Sequence, residues 1–178
     1  MLGLNLRMNE LAGAVALAQV RKLDDILSRL RASKRQFIDA LLSHVRLPLR
    51  RSNDPDGECA TTVSCVFEDR NLADEVAGAL GTVTALHTGK HYYGSMREVI
   101  ERRVPSLGHS FASSGTRAHE YRKGALPRTD DILGRTVNIS VGVTDAYLGT
   151  AFGITPLSDS DAIEKTALEF VRRTRHLL

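Results

Sequence analysis

Residues 9–45 contain no proline, and their one glycine, Gly13, stands near the start. Apolar side chains recur through the run at helical spacing: Leu11, Val15, Ala18, Leu23, Ile26, Leu27, Leu30, Phe37, Ile38, Leu41 and Leu42. That pattern predicts one long helix, with Asn9 as its N-cap and Glu10 at the positive end of its dipole. A helix of about 35 residues spans roughly 50 Å, more than a small domain needs. It must bridge two bodies or pack on a partner. The chain is expected to divide into a loop and long helix over residues 1–47 and a small α+β domain over residues 48–178.

Pro48 ends the helical pattern, and residues 53–57 form a turn by composition. Residues 60–67, rich in Thr and Val, read as a strand. Asn71 then looks like the N-cap of a short helix that stops at Gly81. Residues 82–88 read as a second strand, and Ser95 with Glu98 as a capping box. Residues 106–124 lack periodicity and read as a long loop. Over residues 136–143, Val137, Ile139, Val141 and Val143 alternate with polar or small residues, a strand with one buried face. Ser158 caps a last helix with Ile163, Leu168, Phe170 and Val171 inward and Arg172, Arg173 and Arg175 at its negative end. The class is α+β: a long N-terminal helix, then a small three-stranded, mainly antiparallel sheet flanked by helices.

Composition narrows the function. With 178 residues and 42% hydrophobic content the chain can bury a core, and without Trp that core is aliphatic. The 24 basic residues against 21 acidic ones are scattered rather than striped, which argues against nucleic acid and against an anionic membrane. No apolar run reaches the roughly 18 residues of a membrane span, and the start does not read as a signal peptide, so a cytoplasmic location is expected. Cys59 and Cys65, about 20 Å apart along one extended strand, cannot pair and read as small core residues. His87, His91, His109 and His119 lack the spacing of a metal site. There is no phosphate-cradling glycine loop and no nucleophile elbow. The carboxylate pairs Asp24–Asp25 and Asp130–Asp131 read as solvated surface.

The segment Gly3-Leu4-Asn5-Leu6-Arg7-Met8-Asn9-Glu10-Leu11, with Ala12, Gln19, Lys22, Leu23 and Asp24 after it, closely resembles a segment of the DegT/DnrJ/EryC1/StrS aminotransferases. Gly89-Lys90-His91-Tyr92-Tyr93 is similar to the stretch where that family approaches its substrate, and residues 126–140 to the pattern before its last small-domain strand. The resemblance implies a fold-type-I enzyme using pyridoxal phosphate, many of whose relatives aminate keto-sugar nucleotides or cyclitols. It implies that Asn5 reaches the cofactor phosphate of a neighbouring subunit, with Arg7 beside it. His91 and Tyr92 would face a sugar-type substrate.

No catalytic residue is assigned. The family's Schiff-base lysine belongs to a larger N-terminal domain, and Lys22, Lys34, Lys90, Lys123 and Lys165 have no such context here. Cofactor binding is thus expected only in an enzyme assembled with that domain, through a homo-oligomer or a large-domain partner chain. The alternative is a non-catalytic binding or dimerisation module derived from the same fold.

Overall fold

The computed structural model describes residues 8–89, 92–101 and 121–178. Its helices and strands run in the order α1 (Glu10–Val20), α2 (Leu23–Leu42), β1 (Thr62–Val66), α3 (Arg70–Ala79), α4 (Arg97–Ile100), α5 (Pro127–Gly134), β2 (Thr136–Ser140) and α6 (Ser160–Thr174). The α+β class stands. The single long N-terminal helix does not: a turn at Arg21–Lys22 separates α1 from α2. There the Lys22 N–H turns back to the Gln19 carbonyl at 3.0 Å, three residues away, so the four-residue ladder lapses. Neither proline nor glycine marks the break. Its one signal is Asp24–Asp25, acidic residues in the first turn of a new helix.

The expected third strand is absent among the described residues. β1 and β2 pair antiparallel with Thr62 opposite Ser140 and Val66 opposite Thr136. Residues 82–88 instead make a short 3-10 turn, Ala85–His87, in which the His87 N–H bonds the Thr84 carbonyl at 2.9 Å. The free edge of each strand is met by irregular chain. The Arg50 N–H donates to Ser64 at 2.8 Å, and the Ile154 N–H to Ser140 at 2.9 Å. Gly153 makes the second approach possible: its φ is +141°, and an added Cβ would collide with the Ser140 backbone. Both faces of β2 are largely buried, Thr136 and Ser140 included, where the alternation predicts a polar outer face.

The core lies where α2, α3 and α6 meet the sheet. Phe37 and Leu41 of α2, Val76 of α3, Val63 of β1, Val137 and Ile139 of β2, and Ile163 and Phe170 of α6 are all buried. Leu168, expected inside, is exposed, and Ala167 and Thr174 take the inward positions on α6. Three caps shift as well. Asp69 rather than Asn71 caps α3 through the Leu72 N–H, and Asp159 rather than Ser158 caps α6 through Ala162. Met96, with no side-chain cap, precedes α4 in place of a Ser95–Glu98 box.

Cys65 is buried, and burial pushes its thiol up to about 12, whereas Cys59 is exposed and not a core residue. No helix among the described residues is long and apolar enough to cross a membrane.

Candidate functional site

After α3, Gly81 (φ +70°) turns the chain towards Thr84 and Thr88, both buried. Their hydroxyls are spent inside the turn. Thr84 Oγ1 lies 3.0 Å from His87 Nδ1, and Thr88 Oγ1 donates to the Ala85 carbonyl at 2.9 Å. The Gly89 N–H then donates to the Tyr147 carbonyl at 3.1 Å, tying this turn to the loop after β2. Between them opens a cleft of about 270 Å³ lined by Thr61, Thr62, Thr88, Asn138 and Thr150, with Ala85, Leu133, Val143 and Leu148 as its apolar wall.

No ionisable side chain lines this cleft. Asn138 Oδ1 accepts from Ser64 Oγ at 2.7 Å, which fixes the amide and leaves its nitrogen to donate elsewhere. Such a surface suits a ligand recognised through neutral hydroxyls and carbonyls.

Four residues beyond Thr88 stands Tyr92, 8% exposed, its ring edge-on to Tyr93 with centroids 4.7 Å apart. Gly94 follows because a Cβ there would overlap the Tyr92 ring. Burial first, then the Tyr93 hydroxyl and the Asp130 charge, push the Tyr92 phenol up to about 12. It stays protonated at neutral pH, a hydrogen-bonding group and not a base. Little of its ring is open for stacking.

The Tyr93 hydroxyl donates to Asp130 Oδ2 at 3.0 Å and accepts the Leu126 N–H at 3.0 Å, which fastens this corner to the start of α5. Asp130 Oδ1 is buried and has no hydrogen-bond partner among the described residues. Asp130 is therefore no solvated carboxylate, contrary to the expectation from its pairing with Asp131. Pro127 at the first helical position, three residues ahead of it, was the available signal that α5 begins here. Asp131 turns the other way. Hydrogen bonds from Arg135, at 2.9 Å, and the nearby Arg70 hold its carboxyl below the usual range.

Asn5, Arg7 and His91 lie outside the described residues, as do Lys90, most of the 106–124 loop, His109 and His119. Of the sequence-predicted site residues, Tyr92 alone is placed. Among the described residues no three His, Cys, Asp or Glu side chains gather as metal ligands.

The lysines decide whether the described residues can take pyridoxal phosphate. Lys22, Lys123 and Lys165 are exposed. Lys34 Nζ lies 2.7 Å from both carboxylate oxygens of Glu58, so the amine is held in an ion pair. A Schiff-base cofactor needs an uncommitted amine facing a cavity, and the described lysines do not supply one. The described residues therefore do not fit the cofactor.

Compared with known protein families, residues 1–138 match the model of the DegT/DnrJ/EryC1/StrS aminotransferase family. The matched stretch runs from the opening Asn–Arg motif through the Tyr92–Tyr93 corner to Asn138 in β2; the remainder of the chain, with α6, follows it. The chain belongs to the DegT/DnrJ/EryC1/StrS aminotransferase family, whose enzymes depend on pyridoxal phosphate.

Proposed function

We propose that this chain is the C-terminal part of a cytoplasmic aminotransferase acting on keto-sugar nucleotides or cyclitols, and that it turns over no substrate by itself. One observation carries the reading. α1 exposes Leu11, Val15, Leu17 and Val20 around its whole circumference and contributes no buried residue. A helix apolar on every side belongs in the interior of something larger. A second copy of the chain and a large domain bearing the Schiff-base lysine are the two bodies that would cover it, with residues 1–47 as the connecting segment and 48–178 as the small domain.

In that assembly Asn5 donates its amide to the cofactor phosphate of the neighbouring subunit, with Arg7 beside it. His91 and Tyr92 face the sugar. The uncharged cleft supports the substrate class, because the Asn138 amide nitrogen can bond a hydroxylated ring there without the desolvation cost of buried charge. Thr88 on its rim is three residues from His91.

The test mixes the purified chain with a large-domain polypeptide of the family and pyridoxal phosphate. Desalted to remove free pyridoxal phosphate, the chain alone should retain no yellow absorbance; the mixed pair should retain one that borohydride discharges and should transaminate a keto-sugar nucleotide. A borohydride-sensitive adduct and turnover from the chain alone would sink the proposal. Exposed α1 also suits the second reading, a dimerisation module without chemistry. That reading prevails if the chain self-associates on sedimentation, loses this with Leu11→Glu and Leu17→Glu together, and ignores every large-domain partner.

A further inference from the structure

The structure holds a second cleft that shares no lining residue with the first. It lies between α2 and the 49–64 segment, has a volume of about 200 Å³, and is walled by Arg31, Lys34, Arg35, Arg50, Asp56 and Glu58 over an apolar floor of Ile38, Leu49 and Val63. Arg31, Lys34 and Arg35 share one face of α2 at helical spacing, and Arg50 joins them from fifteen residues further on. The fold gathers them because the Arg50 N–H bonds Ser64 on β1 and brings the 49–52 chain alongside α2.

Glu58 cancels one of these charges: its carboxylate holds Lys34 Nζ at 2.7 Å, in a pair of which 12% and 21% of the side chains remain exposed. Its carbonyl also accepts from Arg31 Nε at 2.9 Å, which fixes that guanidinium at the cleft wall without neutralising it. Arg35 and Arg50 have no carboxylate within ion-pair distance among the described residues. With Asp56 as the remaining acid, Arg31, Arg35 and Arg50 leave the lining with two uncompensated positive charges.

We infer that this cleft binds a small phosphorylated molecule, its phosphate across Arg35 and Arg50 and its organic body on Ile38, Leu49 and Val63. A phosphate monoester carries nearly two negative charges at neutral pH, matching the surplus, and its oxygens suit guanidinium forks. A carboxylate would leave one cation unmatched. The apolar floor favours an organic ester over inorganic phosphate, and the small volume holds the phosphate and the first ring or chain atoms only.

Ligand-observed saturation-transfer NMR on the full chain, with phenyl phosphate as the probe at constant ionic strength, tests this and tolerates self-association. Phenyl phosphate should receive saturation, be displaced by 4-nitrophenyl phosphate more readily than by inorganic phosphate, and outcompete benzyl alcohol and benzoate. Arg35→Ala and Arg50→Ala should each weaken it about tenfold or more, the loss expected for a charge-assisted hydrogen bond. Asp56→Asn should tighten it, and Arg175→Ala, at the exposed C-cap of α6, should leave it unchanged. Benzyl alcohol binding as well as phenyl phosphate would overturn the inference. So would Arg35→Ala and Arg50→Ala chains that bind like the parent, or an equal loss with Arg175→Ala, which would mean diffuse charge attraction only.

Discussion

α1 and α6 begin in the same way and end in opposite circumstances. Asn9 caps α1 by accepting the Ala12 N–H at 2.8 Å, and Asp159 caps α6 by accepting the Ala162 N–H at 2.8 Å. Beyond the cap, α1 is Ala-rich and apolar all round and has no buried residue, whereas α6 is two-faced and buries Ile163, Ala167, Phe170 and Thr174. Good local chemistry thus makes a helix in both places, but tertiary contact stabilises only one of them. The contrast also separates two jobs. α6 closes the domain over α2 and the sheet, and α1 presents a surface to whatever completes the assembly.

The strongest way to break this contrast is to truncate one side chain from each helix. Phe170→Ala removes a ring that is 1% exposed and packs beside Phe152, centroids 6.2 Å apart. It should cost about 3–5 kcal/mol in urea unfolding of the chain. Val15→Ala, at a side chain 54% exposed, should stay within about 0.5 kcal/mol. A large loss from Val15→Ala would mean that α1 already packs on something within the chain. In the assembled enzyme the order should narrow, with Val15→Ala weakening association and leaving the small domain's own unfolding unchanged.

A finer comparison uses the matched caps. Asp159→Ala should destabilise the domain by about 1 kcal/mol, because losing the cap weakens a helix whose docking is part of global folding. Asn9→Ala removes the same hydrogen bond, yet should leave the unfolding midpoint unchanged and lower only the hydrogen-exchange protection of α1 amides. Equal shifts in midpoint would erase the distinction between the two helices.

These helices also show what a sequence discloses. The N-cap at Asn9 and the inward residues Ile163 and Phe170 are legible because capping and helical spacing are local chemistry. The break at Arg21–Lys22 is not, since no proline or glycine marks it and only the acidic pair after it hints at a second start. The 82–88 segment has strand-like Thr and Val, but it packs on β2 without joining its ladder, and Thr84 instead joins a turn with His87. β2 is legible on one face, through Val137 and Ile139. Its other face meets the Ala85–His87 turn, and that packing leaves no trace in the alternation.

The same holds at the candidate site. The Gly89–Tyr93 run is visible by resemblance, but Tyr93's bond to Asp130 crosses 37 residues, and Asp130 beside Asp131 looks like ordinary surface. The cationic cleft is hidden for the same reason, since Arg50 meets Arg31 and Arg35 only after β1 has formed its edge.

The smallest expected difference lies at the C-terminal ends. α1 has no basic residue in its last turn, whereas α6 has Arg172 and Arg173, both bonded to Glu169 at 2.6–2.7 Å. Hydrogen bonds from Arg172 and then Arg173 hold the Glu169 carboxyl down, from 4.5 to about 2. A carboxylate depressed in the folded state adds stability above its unfolded value and loses it as pH falls through the folded one. The contribution should therefore be complete above about pH 4.5 and fade towards pH 2, with the group in water and its worth screened by solvent. NMR titration of the Glu169 carboxyl carbon should give a midpoint near 2, moving up towards 4.5 in a chain carrying Arg172→Ala and Arg173→Ala. A Glu169 midpoint already near 4.5 in the parent chain would mean that the fork is open in solution, and that α6 owes its place to the buried face alone.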